Sequence, residues 1–180
     1  MVEAVVRSVH VSLITQHRLV VLKERRGKRY LPIWISPDVA DAIALEMQGV
    51  QMARPFTHDL LRSVIETLGA KVSRILVNDI RDNTFYARII FDMAGRYLEV
   101  DSRPSDAIAL AVRVKCPIFI EESVLEQAGL TLEEEEGAPA PAEQQELDVF
   151  REFLSQLEME EPPEEGPEEE DAGIPPEETL

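Results

Sequence analysis

One five-residue word occurs twice in the sequence, at the same place in a repeated pattern of elements. Residues 41–45 and 106–110 both read DAIAL. Each copy follows three segments rich in β-branched and aromatic residues, which predict strands, and a segment with Ser and Pro that predicts a helix start. We predict an α+β fold with mixed sheets and an internally duplicated β-β-β-α-α unit. Chance recurrence of common helix residues is the alternative.

The predicted elements fall into two sets. The first has strands at 5–14, 17–23 and 30–35 and helices at 36–48 and 57–68. The second has strands at 71–79, 84–92 and 96–101, a helix at 102–114, a short strand at 117–120 and a last helix at 123–128. Because Pro32 lacks an amide hydrogen, it indicates an edge or a bulge in the third strand.

The charge divides the chain near residue 130. Residues 1–130 contain 17 Lys and Arg against 16 Asp and Glu, a net charge of +1, whereas residues 131–180 contain 1 against 19, a net charge of −18. Residues 1–130 have the size of one globular domain. Residues 131–145 predict an acidic linker rich in Pro and Ala, 146–159 an amphipathic helix, and 160–180 a disordered acidic tail. The apolar face of that helix would dock on the domain, on another subunit or on a partner.

Several classes of protein are not indicated by the sequence. No apolar run approaches the roughly 20 residues that cross a bilayer, and no signal-peptide pattern is present. We therefore expect a cytoplasmic protein with no membrane partner. The single cysteine, Cys116, lies in an apolar stretch and predicts a buried, unreactive thiol. The motifs of P-loop, zinc-protease and GxSxG hydrolase enzymes are absent from the sequence.

Polar residues concentrate first in RPFTHDL, at residues 54–60. Thr57 predicts a helix N-cap and Asp59 a partner of the helix dipole, and neither assignment needs a function. Arg54, beside a helix start whose amides point outward, makes a candidate phosphate-binding corner. His58 is a candidate acid or base, and an ordinary surface histidine is the alternative.

The second polar concentration is EVDSRPSD, at residues 99–106. Alternation along the strand places Glu99 and Asp101 on one face, and Asp106 lies in the first turn of the next helix. Asp101 and Asp106 are therefore candidate ligands for a hard divalent ion, Mg or Mn. The simpler alternative is capping and dipole pairing, with Arg103 as the counter-ion.

The two clusters and their flanking words resemble a known family. LPIWIS, RPFTHDLL, YLEVDSRPSDAIALAVR and CPIFIEESVLEQAG occur in this order and resemble the bifunctional nuclease family of bacteria and plants over about residues 2–130. The resemblance implies an α+β domain with an internally repeated motif and nuclease activity on both DNA and RNA. It implies the activity class more strongly than the role of any one residue.

Together these observations predict a hydrolase of phosphodiester bonds that acts on DNA and RNA with little sequence preference and with Mg or Mn. The candidate catalytic residues are His58, Asp59, Asp101 and Asp106. The candidate substrate-binding residues are Arg54, Thr57, Arg103 and Ser105, and the candidate metal ligands are Asp101 and Asp106. We expect nucleic acid as the partner and a homo-oligomer as the assembly. The alternative is a non-catalytic ligand-binding or regulatory oligomeric module, in which the same residues are caps and ion pairs.

Overall fold

The computed structural model describes residues 1–11 and 17–131, which form one sheet and four helices. The predicted α+β class is confirmed, with a single mixed sheet where several were expected. The elements in chain order are β1 (Val2–Val11), β2 (Arg18–Glu24), β3 (Arg29–Ile35), α1 (Pro37–Met47), α2 (Thr57–Thr67), β4 (Lys71–Arg81), β5 (Thr84–Met93), β6 (Arg96–Ser102), α3 (Pro104–Val114), β7 (Ile118–Ile120), α4 (Glu122–Ala128) and β8 (Leu130–Thr131).

The sheet has the strand order β6-β5-β4-β7-β1-β2-β3-β8. Strands β1 to β3 and strands β4 to β6 each form an antiparallel set of three. The turn between β4 and β5 has positive φ at Asp82 and Asn83, the backbone form that two-residue hairpins prefer. Between the two sets lies β7, antiparallel to β1 and parallel to β4. The short strand predicted at 117–120 is therefore the centre of the sheet.

Helix α3 is the centre of the packing. Eight of its 11 residues are buried. Its three alanines, at 107, 109 and 111, allow close approach to its neighbours, and its Ile and Leu side chains belong to the core. It contacts α1, α2, β3, β4 and β5. Because β3 and β5 are five positions apart in the sheet and both contact α3, the sheet curves around this helix. The curvature brings the ends of β3 and β5 to the start of α3.

The two halves share the order β-β-β-α and differ beyond it. Strands β1 to β3 are followed by α1 and α2, whereas β4 to β6 are followed by α3, β7 and α4. The duplication of the chain stays a prediction. The sequence did not indicate β8, which pairs Leu130 and Thr131 with the start of β3 and extends one residue into the predicted linker. The rest of that linker, the helix at 146–159 and the tail at 160–180 lie outside the described residues.

The edge predicted from Pro32 is confirmed. Strand β8 pairs only with Arg29 and Tyr30, so Pro32 has β2 on one side and no described strand on the other. A missing amide hydrogen costs nothing at such a position. None of the helices within residues 1–11 and 17–131 has the length and apolar character of a membrane span.

Candidate active site

The segment RPFTHDL starts α2 in a way that differs from the prediction. The N-cap position belongs to Phe56, and Thr57 is the first helical residue, so the predicted Thr57 cap is wrong. Asp59, three residues after Phe56, accepts a hydrogen bond of 2.9 Å from the Phe56 backbone N–H. A carboxylate at the third helical position can satisfy the N-cap amide from within the helix, which removes the need for a side-chain cap at Thr57.

Asp59 has a second partner, Arg113, that sequence reasoning missed. The Arg113 side chain is buried, and its Nε donates to Asp59 Oδ1 at 2.8 Å. Its Nη1 donates to the Ala109 carbonyl at 2.8 Å and its Nη2 to the Ala42 carbonyl at 3.1 Å. One guanidinium therefore joins α2, α3 and α1. The available signal was a charged residue inside the apolar helix word AIALAVRV, where an unpaired charge would be costly.

The two polar clusters, 48 residues apart in sequence, meet at one hydrogen bond. His58 Nε2 lies 3.2 Å from Asp106 Oδ1. His58 is 7% exposed, because α2 packs against α3 at this point, and the Asp106 side chain is 30% exposed. A carboxylate bonded to an imidazole holds the ring in one orientation.

Arg103 completes the group, which we call the Arg103–Asp106–His58 chain. Arg103 Nε donates to Asp106 Oδ2 at 2.8 Å, and its Nη2 donates to Oδ1 at 3.3 Å. Burial by itself raises the pKa of Asp106, but the hydrogen bonds and positive charges of Arg103 and His58 lower it more. The pKa of Asp106 therefore lies below its usual range, and this carboxylate is ionised at neutral pH.

A cleft with a volume of about 400 Å³ opens where α1 and α3 begin. Residues 33–36, 83–85 and 103–105 line it, so β3, β5 and both helix starts contribute. Neither helix has an N-cap side chain that bonds to its backbone amides. At the start of α1, the Ser36 side chain bonds to the Asp38 side chain instead. The Asp38 carboxylate also accepts hydrogen bonds from the Asp38 and Val39 amides. The start of α3 has no such side-chain cap, so its first amides can bind an anion, and the partial positive charge of the helix end favours one. Arg103 and Ser105, two of the predicted substrate-binding residues, lie in this cleft.

A larger cleft, with a volume of about 770 Å³, lies at the other ends of α1 and α3. It contains none of the predicted site residues. Cys116 lines it, and burial raises the pKa of its thiol to about 11. This agrees with the predicted unreactive cysteine, because the thiolate is the reactive form.

Six of the eight predicted site residues do not line the 400 Å³ cleft: Arg54, Thr57, His58, Asp59, Asp101 and Asp106. Arg54 and Thr57 are exposed, and Asp101 is exposed on β6, opposite Arg88 of β5. Within the described part of the chain, no three His, Cys, Asp or Glu side chains are grouped to hold a metal ion. Both oxygens of Asp106 already accept hydrogen bonds from cationic or imidazole donors. This arrangement does not fit a Mg or Mn ion, and metal binding by Asp101 and Asp106 stays a prediction.

The fold and the site together define an α+β domain in which an ionic chain of Arg, Asp and His borders a cleft between two helix starts. The family model of the Bifunctional nuclease domain matches residues 20–133. The chain belongs to the bifunctional nuclease domain family, as its sequence words indicated.

Named relatives come from bacteria and plants. The uncharacterized protein Rv1829 of Mycobacterium tuberculosis is 46% identical over 141 residues, which cover 77% of this chain and 84% of that protein. Bifunctional nuclease 1 of Arabidopsis thaliana is 29% identical over 139 residues, 74% of this chain and 43% of that protein. Bifunctional nuclease 2 of Oryza sativa subsp. japonica is 27% identical over 118 residues, 64% of this chain and 36% of that protein. The chain spans less than half the length of these two plant proteins.

Proposed function

We propose that this protein is a nuclease that hydrolyses phosphodiester bonds in DNA and RNA with little sequence preference. The observation that supports the proposal is the Arg103–Asp106–His58 chain beside the 400 Å³ cleft, in a member of the bifunctional nuclease domain family. The plant relatives are named as nucleases, and the site contains groups suited to an anionic substrate and to proton transfer.

Binding of the phosphate is assigned to Arg103 and to the start of α3. The Arg103 side chain is 69% exposed. Its Nε and Nη2 are bonded to Asp106, which leaves Nη1 to donate to a phosphate oxygen. The amides at the start of α3 add donors without adding a side-chain charge. Asp38, in the first turn of α1, offsets part of this positive field, so Arg103 is the principal attraction.

Proton transfer is assigned to His58. Hydrolysis needs one proton taken from the attacking water and one returned to the leaving oxygen, and a histidine can perform both steps near neutral pH. Asp106 orients the ring through Nε2. Asp59, predicted as catalytic, is assigned a positioning role, because its carboxylate binds Arg113 and the Phe56 amide.

The test is cleavage of fluorescent single-stranded DNA and RNA by the purified full chain, with EDTA, with Mg and with Mn. We expect both polymers to be cleaved and His58→Ala to lower the rate by about 100-fold or more. Arg26→Ala is the control, since Arg26 is exposed on the turn at the opposite end of β3 from the cleft. A rate that survives His58→Ala would contradict the assignment. Loss of cleavage in EDTA, with recovery in Mn, would support a metal requirement, and Asp101→Asn should then abolish the recovery.

The alternative function, a non-catalytic module, also has an observation in its favour. The Asp59–Arg113 ion pair joins α2 to α3, and Asp106 pairs with Arg103 at the start of α3 and is bonded to His58 of α2, as structural groups are. Thermal unfolding separates the two functions. If Arg103→Ala and Asp106→Ala lower the unfolding midpoint strongly, and neither oligonucleotide nor metal raises it, the residues are structural and the alternative holds.

A further inference from the structure

Trp34, the only tryptophan of the chain, lies at the cleft and is not buried. It is 47% exposed, whereas its neighbour Ile33, on the other face of β3, is 3% exposed. A Trp side chain that stays in water forgoes the large gain of burial, so an exposed one beside a cleft is informative. Nothing in the Arg103–Asp106–His58 chain requires an aromatic ring at this position.

The indole of Trp34 has an aromatic neighbour, His17. The His17 ring meets it edge to face, with centroids 5.7 Å apart and an angle of 72° between the planes. This is a favourable arrangement for two aromatic rings. Contact with His17 restricts the indole, and the exposed part of its surface remains open to a ligand.

We propose that Trp34 stacks on a nucleobase, so that the site accepts single-stranded nucleic acid in preference to a duplex. This inference rests on the proposed function, because it uses the phosphate site at the start of α3. Every base of DNA and RNA has a flat aromatic face, so stacking tolerates all sequences. In a duplex each base already stacks on its neighbours and its faces are not available. An aromatic ring and an arginine on one cleft match a base and its phosphate.

The first test uses the tryptophan emission of the unaltered full chain. The probes are a short single-stranded DNA, the same strand with abasic sites in place of its bases, and the corresponding duplex. We expect the intact single strand to quench Trp34 and the other two to quench it weakly at equal phosphate concentration. Equal quenching by the abasic strand, or no quenching by the intact strand, would overturn the proposal.

The second test measures affinity for a labelled single strand by fluorescence anisotropy. Trp34→Leu removes the aromatic face and should weaken binding about 10-fold, while Trp34→Phe should retain most of the affinity. Tyr97→Leu is the matched control, since Tyr97 is an exposed aromatic on β6 that does not line the cleft. Circular dichroism melting of each variant verifies folding. Equal loss in the Leu and Phe variants, or no loss in either, contradicts stacking.

Cleavage is scored separately, so that the two proposals fail in different ways. Quenching by the single strand without any cleavage would reject the nuclease and leave the stacking site. Equal cleavage of single strand and duplex, unchanged in Trp34→Leu, would reject the stacking site and leave the nuclease.

Discussion

The two DAIAL words have the same letters and different surroundings. In α1 the word begins at the fifth helical residue, counted from Pro37, and in α3 it begins at the third, counted from Pro104. Asp41 is consequently beyond the first turn, with its side chain 66% exposed and 3.9 Å from Arg18 Nε. Asp106 lies within the first turn, 30% exposed and bonded to both Arg103 and His58. A repeated sequence therefore does not produce a repeated site.

The residues around the word differ as well. With the two words aligned, Asp38 stands where the second copy has Arg103, and Gln48 stands where it has Arg113. The start of α1 thus has a negative side chain at the position where the start of α3 has a positive one. Gln48 is exposed at the end of α1, whereas Arg113 is buried and joins three helices. The candidate site lies at the second word because Arg103 and Arg113 occupy these positions there.

The largest expected difference between the copies is in cleavage. Asp106→Asn keeps the shape of the side chain and removes the charge that holds His58, so the rate should fall about 10²- to 10⁴-fold. Asp41→Asn makes the same change in the first copy and should leave the rate unchanged. Initial rates on a fluorescent single strand measure both. An equal loss of cleavage rate in the two variants would contradict the assignment of the site to Asp106 rather than Asp41.

Stability should separate the copies next. Arg113→Met leaves the Asp59 carboxylate without its cationic partner and removes the side-chain donors to the Ala42 and Ala109 carbonyls. The free energy of unfolding should therefore fall by about 3 kcal/mol. Gln48→Ala, the matched change in α1, should cost about 0.5 kcal/mol or less. Urea denaturation measures both. If the ion pair is responsible, the double variant with Asp59→Ala should be less unstable than the sum of its single changes.

A smaller effect of opposite sign is expected at the helix starts. The hydrogen bond from Ser36 contributes most to the lowered pKa of Asp38, and the hydrogen bond to Asp106 contributes most to the raised pKa of Arg103. The charges of Arg103 and Asp38 act on each other in the same directions to a smaller extent. Arg103→Ala should weaken single-strand binding at low salt about threefold, and Asp38→Ala should strengthen it by a similar factor. Anisotropy over a salt series is the measurement, because screening should reduce both changes at high salt. If Arg103→Ala and Asp38→Ala change the affinity in the same direction, the electrostatic explanation is wrong.

The smallest expected effect is on stability in acid. The pKa values of Asp106 and Asp59 are both lowered in the folded state. For Asp59, burial raises the pKa, but the hydrogen bonds from the Phe56 amide and from Arg113 lower it more. Each stabilises the fold fully above its unfolded pKa of about 3.9, and the stabilisation is lost as the pH falls through the lower folded pKa. Urea unfolding from about pH 6 to about pH 2 should show a flatter pH dependence in Asp106→Asn. An unchanged slope would show that Asp106 is not linked to folding.

Local signals in the sequence identified most of the elements and both polar clusters. Strand composition and the Ser-Pro and Arg-Pro helix starts act over a few residues, so they are readable without the fold. The Thr57 cap failed because Asp59 competes for the same amide from inside the helix. The partners of Arg113, the central place of β7 and the contact of His58 with Asp106 were not predictable. Each depends on packing between segments far apart in sequence.

The sequence by itself determined the α+β class, the family and the residue types that a phosphate site would use. These follow from patterns along the chain and from long sequence words. Tertiary structure alone decided that α3 is the buried centre, that the sheet curves to bring β3 to β5, and that Asp106 rather than Asp41 meets a histidine. The physical reason is that burial and ion pairing depend on which surfaces pack together. Identical sequence words that pack against different neighbours therefore place the same residue types in different chemical environments.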